Sequence, residues 1–270
     1  MRIWMMLFFL CFLSFNLRAE TLTFGVVPQQ SAKKMAALWS PVLRYLSQSS
    51  GLKIQFSTAK NIPEFEKRLL AGEYDIAYMN PYHYTVFSQK PGYRAIAKQK
   101  DKKIKGIVVV KKDSPLVSLN ELNGSKLAFP SPAAFAASVL PRAYMEQNGI
   151  GFSPKYVSSH DSVYLNVSKG FFPAGGGVMR TFNNSAPEVR EQLKVLWTTP
   201  AYTSHAIAVH PSLSDESAQK LTQSMLLMNN DPAGKILLKN LNFKGLEIAS
   251  DPQWDDIRGL NIRLLDHMLQ

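Results

Sequence analysis

The 270-residue chain contains a single cysteine, Cys11, and it lies inside an apolar leader. Met1-Arg2 gives a short positive start, Ile3 to Phe15 is nearly all apolar, and Leu17-Arg18-Ala19 places a small residue before Glu20. This is the pattern of a secretory signal peptide whose apolar core is too short to span a bilayer. Cys11 lacks the small residues that precede a lipid-bearing cysteine. Cleavage near Ala19 is expected to leave 251 of the 270 residues, and none of these is cysteine. Disulfides, a thiolate nucleophile and cysteine-based zinc sites are thereby excluded from the exported chain. A domain of this length can rest on its core alone. The expected location is a bacterial periplasm.

Other absences narrow the function. After the leader no run is long and apolar enough for a membrane span, and there is no internal repeat. Gly-x-Ser-x-Gly, His-Glu-x-x-His and phosphate-binding P-loop signatures are missing. Ser159, His160 and Asp161 are neighbours on one turn and cannot form a nucleophilic triad. His83 and His160 have no carboxylate pattern around them that would complete a zinc site. Neither enzyme chemistry, a metal nor a cofactor is expected.

Acidic residues are scarce: 20 against 31 Lys and Arg give +11, and losing Arg2 and Arg18 leaves +9. A basic balance admits anionic small molecules, nucleic acid or a membrane surface. No basic helix with interleaved aromatics is present, and nucleic acid is not expected of an exported chain. The densest run, Lys98 to Lys112, reads as a solvated loop and strand edge. A small anionic solute is the expected partner, and the chain is expected to be monomeric.

The stretch Leu69 to Tyr84 organises what is there. Gly72 suits the left-handed position after a helix, Asp75 to Tyr78 fits a short strand covered on both faces, and Asn80-Pro81 starts a new helix. Open α/β sheets bind ligands at the carboxyl ends of their strands. Tyr78, Asn80, Tyr82, His83 and Tyr84 lie there, as one wall of a cleft or simply as packing.

Around it, Thr21–Val27, Leu52–Ser57, Gly106–Lys111, Lys126–Phe129 and Lys155–Ser158 read as strands. Ser31–Ser49 (interrupted at Pro41), Glu64–Leu70, Ala133–Asn148, Ser162–Lys169, Asp215–Met228 and the tail Trp254–Leu269 read as helices. Phe171–Arg180 reads as a turn region. The expected architecture is α/β with two lobes, each a mostly parallel sheet flanked by helices, joined by two hinge crossings. The expected divisions are a leader at 1–19, a discontinuous first lobe at 20–110 and 208–270, and a second lobe at 111–207. A cleft between lobes is a preferred ligand site.

Several motifs then carry a resemblance. Phe24-Gly25-Val26-Val27-Pro28, Ala71 to Ala77, Asn80-Pro81 with Tyr84, Lys112-Asp113-Ser114-Pro115, Leu119 to Leu122, Ser159-His160-Asp161 and Leu196 to Pro200 occur in this order. The chain resembles the phosphate/phosphite/phosphonate-binding family of periplasmic solute receptors over essentially all of the exported sequence. The resemblance implies a type II periplasmic binding fold closing on an oxyanion and feeding an inner-membrane ABC permease. Two departures stand out. The family's Ser-Thr-Ser-Gly turn is replaced by Phe129-Pro130-Ser131-Pro132-Ala133-Ala134-Phe135, although a helix N-terminus still offers amides. The acidic residue of its Val-Asp-Ala strand is replaced within Phe172 to Gly177. An aminoalkyl phosphonate would find no acid for its amine.

The expected ligand-binding residues are Tyr78, Asn80, Tyr84, Ser131, Ala133, Ala134, His160, Asp161, Gly175 and Gly176. His160 is expected to donate to an oxyanion, more strongly when protonated. Asp161 caps a helix or touches ligand, and Gly175 to Gly177 bring amides to the ligand or form only a tight turn. His205 and His210 are expected to be structural. Two other readings stay open: a sensory receptor passing ligand state to a membrane kinase or cyclase, and, last, a hydrolase.

Overall fold

The computed structural model describes residues 21–270; the leader, Cys11 and the cleavage site at Ala19 lie outside the described residues. The first lobe begins with β1 (Thr21–Val26) and α1 (Ala32–Ser50). The helix runs through Pro41 without a break. Met35, Trp39, Val42, Leu43 and Leu46 form its buried stripe, and five such side chains at about 1.5–3 kcal/mol each outweigh the ~3 kcal/mol of a mid-helix proline. Next come β2 (Lys53–Ser57), α2 (Ile62–Leu70), β3 (Ile76–Met79), α3 (Pro81–Phe87) and β4 (Arg94–Gln99). Gly72, between α2 and β3, has φ +68°, the left-handed geometry expected of it.

A first crossing strand, β5 (Lys103–Ile104), leads to the second lobe. Its elements are β6 (Gly106–Lys111), β7 (Ser125–Phe129), a π-helical turn at Phe135–Val139 running into α4 (Leu140–Gln147), β8 (Phe152–Tyr156), α5 (His160–Ser168), β9 (Ala174–Val178), α6 (Met179–Asn183) and β10 (Leu193–Thr198). The return strand β11 (Tyr202–Thr203) pairs antiparallel with β5. Then β12 (Ala206–Val209) inserts between β3 and β4, and β13 (Leu246–Ile248) completes the first lobe. The sheets have the orders β13-β4-β12-β3-β1-β2 and β10-β6-β9-β7-β8.

Both sheets are mixed. β2, β1 and β3 are parallel, as are β8, β7 and β9, while β12, β4, β13, β6 and β10 pair antiparallel. The expected lobe boundaries at 110/111 and 207/208 cut through β6 and β12. The β-branched run Ile107–Val110 pairs on both edges inside the second sheet, so the division falls at the β5–β11 crossing instead. Along β6, Val108 and Val110 pack on one face of that sheet and Ile107 and Val109 on the other, following the two-residue strand period. The tail holds only short helical turns, at Asp255–Arg258 and Asp266–Met268.

Phe171–Arg180 is a correction: instead of a turn, Ala174–Val178 is a central strand of the second sheet. Its glycines exist for close packing. A Cβ on Gly175 would lie 2.5 Å from Val163 Cγ1, one on Gly177 would lie 2.3 Å from the Tyr164 hydroxyl, and one on Gly176 would lie 1.8 Å from Ala137 O. Alternate glycines therefore seat α5 on one face and the π-helical turn on the other.

Candidate functional site

The carboxyl ends of β1, β3, β7 and β9 face one another across the lobes, where open sheets place ligands. From the first lobe come Gln29, Tyr78, Asn80 and His205. Asn80 caps α3, its Oδ1 accepting from His83 N at 2.7 Å, and its Nδ2 donates across the cleft to Ala133 O at 3.3 Å. Tyr78 is buried and stacks on His205 with ring centroids 4.9 Å apart and planes 16° apart. Gln29 Nε2 lies 3.0 Å from His205 Nε2.

From the second lobe come His160 and Arg180. His160 opens α5 behind the Ser159 cap and places Nδ1 3.2 Å from Thr181 Oγ1. Burial, reinforced by the Arg180 charge, pushes His160 down to about 3. It is therefore held as a neutral imidazole, so the strengthening that protonation would bring to a donor contact is absent at neutral pH. His205 is held well below its ordinary value, by burial first and then by Arg180. Arg180 follows β9 directly, and its guanidinium donates to Gln29 Oε1.

These groups line two neighbouring spaces that share Gln29, Ile104, Val178 and His205. A cavity of about 250 Å³ lies on the hinge side, bounded by Gln29, Tyr78, Arg180, His205 and the Lys102–Lys105 crossing. A second, of only about 10 Å³, lies among Asn80, Ala134, Phe135 and His160. Ser131 is buried beside this turn, and its Oγ has no hydrogen-bond partner. Ala133 is also buried there. Asp161 has an unpartnered Oδ1; burial raises its carboxyl while the Lys34 charge opposes the rise.

Three expected residues lie elsewhere. Gly175 and Gly176 sit in the second sheet, paired with Val109 and Val108, and offer no amide to the cleft. Tyr84 points to the outer side of the first lobe, where its hydroxyl donates to Asp251 Oδ1 at 2.8 Å and its ring packs on Trp254. Tyr82 and His83 also turn inward, to Leu265 N and Glu66 Oε1, each at 2.9 Å. His205, expected to be structural, is instead a cleft residue. His210 does stay outside, 2.7 Å from Ser212 Oγ. The sequence reading missed Arg180, Gln29 and the cleft-facing place of His205. Only the position of Arg180, just past a strand at a carboxyl edge, could have signalled its role. Among the described residues no group of three or more His, Cys, Asp or Glu could hold a metal ion.

A family described as "ABC transporter, phosphonate, periplasmic substrate-binding protein" matches residues 24–254. The chain belongs to this family.

Members of the phosphonate-binding family are substrate-binding proteins of ABC transporters, not enzymes, which implies a periplasmic site of action, a small solute and a membrane permease partner. The chain is 23% identical over 267 residues to the "Phosphonates-binding periplasmic protein" of Escherichia coli (strain K12), covering 89% of this chain and 76% of that one. It is 22% identical over 236 residues to the "Phosphate-import protein PhnD" of Mycolicibacterium smegmatis, covering 75% of this chain and 70% of that one. The structure of PhnD1 from Prochlorococcus marinus (MIT 9301) in complex with methylphosphonate superposes with a TM-score of 0.81. That match is 21% identical and covers 89% of this chain and 98% of the other. The fold is that of a type II periplasmic binding protein.

Proposed function

We propose that this member of the phosphonate-binding family captures a small phosphonate- or phosphate-like anion in the interlobe cleft and delivers it to an ABC permease. One observation carries the reading: Arg180 and the crossing lysines share the cavity, and among the described residues its lining holds no carboxylate. A partly buried guanidinium presents planar, charged donors to an oxyanion. Neutral His160 and the Asn80 amide add donors without a competing negative charge. Hinge closure of the lobes would then remove the anion from water, which strengthens each of these contacts.

The experiment is a thermal-shift and calorimetric screen of residues 20–270 against phosphate, phosphite, methylphosphonate, aminoethylphosphonate, sulfate, carboxylates and sugars. Binding to the folded state alone raises the melting temperature by mass action. A saturable response to a phosphorus oxyanion supports the reading. Silence from all of them, with a response elsewhere in the panel, overturns it and favours a sensory receptor using the same fold for another solute.

A further inference from the structure

The space available in the cleft is unevenly divided. Beside the helix turn that follows β7, where the family resemblance puts the oxyanion, the cavity is about 10 Å³. That is room for roughly one water molecule. Phe135 and the direct Asn80–Ala133 contact take up the rest. The hinge-side cavity is about 250 Å³ and has two chemically different walls. One is cationic, made by Arg180 with Lys102 and Lys105. The other is apolar and aromatic, made by Ile104, Ile107 and Val178 with the Tyr78–His205 stack. Lys103 is engaged elsewhere, donating to Thr203 Oγ1 at 3.0 Å and lying 3.6 Å from Asp256 Oδ2. Ser204 lines the same space, is 3% exposed, and has an Oγ with no hydrogen-bond partner. An orphaned buried hydroxyl beside a cavity points to a polar atom of the occupant.

We infer that the ligand is an amine-free anion with an organic body of about ring size, seated on the hinge side rather than at the helix turn. This inference rests on the proposed function and specifies its substrate class: an alkyl or aryl phosphonate, or the matching phosphate monoester. The anionic head lies against Arg180, the body covers the apolar wall, and Ser204 meets a polar atom between them. A bare oxyanion would leave the apolar wall wet. Burying a phenyl-sized group removes apolar area from water, at about 25 cal/mol per Å². An ammonium group would face Arg180, Lys102 and Lys105 and find no carboxylate among the lining residues.

The test is calorimetry on residues 20–270 with inorganic phosphate, methylphosphonate, ethylphosphonate, aminoethylphosphonate, phenylphosphonate and phenyl phosphate. Phenylphosphonate or phenyl phosphate is expected to bind at least tenfold tighter than methylphosphonate, and ethylphosphonate tighter than aminoethylphosphonate. The two phenyl arms separate a carbon–phosphorus ligand from an ester. Met179→Trp, at a half-exposed position on the cavity lining, is expected to reduce phenyl binding more than methylphosphonate binding. Phosphate or methylphosphonate binding as tightly as the phenyl compounds would overturn this inference while leaving the proposed function intact. Failure of every phosphorus anion to bind would overturn both.

Discussion

Arg180 of the second lobe donates to the Oε1 of Gln29 in the first, and this bond fixes which way the amide faces. With its oxygen turned to the guanidinium, Gln29 directs Nε2 toward His205 Nε2, 3.0 Å away. An amide nitrogen only donates, so that ring nitrogen accepts and the proton sits on Nδ1. The neutral state agrees with the downward displacement of His205 by burial and by Arg180. One cation thus joins the lobes, orders an amide and reinforces the burial that keeps two imidazoles neutral.

Arg180→Ala is expected to weaken methylphosphonate or phenylphosphonate binding by about 10- to 100-fold, the worth of a charged hydrogen bond. Arg180→Lys should restore part of the affinity, because the charge returns without the planar fork. Calorimetry at constant ionic strength reads both. Equal affinity for wild type and Arg180→Ala would remove Arg180 from the site.

The histidines give a pH prediction with a definite sign. His160 titrates near 3 in the folded protein and near 6.5 when unfolded. The unfolded chain therefore binds the extra proton first, so stability is full above about pH 6.5 and falls as pH drops toward 3. His160 contributes a slope of up to about 1.4 kcal/mol per pH unit inside that window. Urea midpoints from pH 7 to pH 5 should fall for wild type and fall less for His160→Gln. Parallel curves for the two proteins would contradict the assignment.

The glycine packing is testable on its own. Gly176→Ala would place a methyl 1.8 Å from the carbonyl oxygen of Ala137, a backbone atom that cannot rotate away. The π-helical turn must shift, at an expected cost of about 2 kcal/mol or more. Gly149→Ala is the comparison: its Cβ meets nothing within 4 Å, and only its φ of +68° is strained, at about 1 kcal/mol. Chemical denaturation should rank the two in that order.

The two lobes were legible because their strands and helices follow periods of 2 and 3.6 over long segments, and the signals at Gly72 and Asn80 are local. Pro41 and the Gly175–Gly177 run misled for a shared reason. Each is a local breaker overridden by tertiary burial, the first by the apolar stripe of α1 and the second by helices that need a smooth strand beneath them. Site residues divide the same way. Tyr78, Asn80 and His160 could be placed from strand ends, but whether Tyr84 faces the cleft or Trp254 depends on the turn of α3, which its uniformly buried residues do not reveal. Arg180 has no motif at all; it acquires a role only when the second sheet brings β9 opposite Gln29.

Tyr84→Phe separates packing from binding. The change deletes a hydroxyl that donates to Asp251 Oδ1 and accepts from Ala95 N at 3.3 Å, on the side of the lobe away from the cleft. Stability should drop by about 1 kcal/mol, while affinity for methylphosphonate or phenylphosphonate stays within twofold. A tenfold loss of affinity without unfolding would bring Tyr84 back to the ligand.

A last prediction concerns the lip of the cleft, where two residues of the first lobe hold one residue of the second. Lys34 on α1 donates to the Asn184 carbonyl, and Asn242 Nδ2 donates to Asn184 Oδ1 at 2.9 Å. Asn184 ends α6, the helix that carries Arg180, so the contact that clasps the lobes also steadies the Arg180 guanidinium. A contact formed only between closed lobes affects how long a ligand stays more than how fast it arrives. Lys34→Ala is therefore expected to raise the dissociation rate about 2- to 10-fold, the equivalent of a hydrogen bond of roughly 0.5–1.5 kcal/mol. Lys34→Gln, which keeps a donor, should fall between the two. Stopped-flow release of phenylphosphonate measures this directly. If Lys34→Ala slowed association and left dissociation unchanged, Lys34 would be steering anions toward the cleft instead of holding the lobes shut.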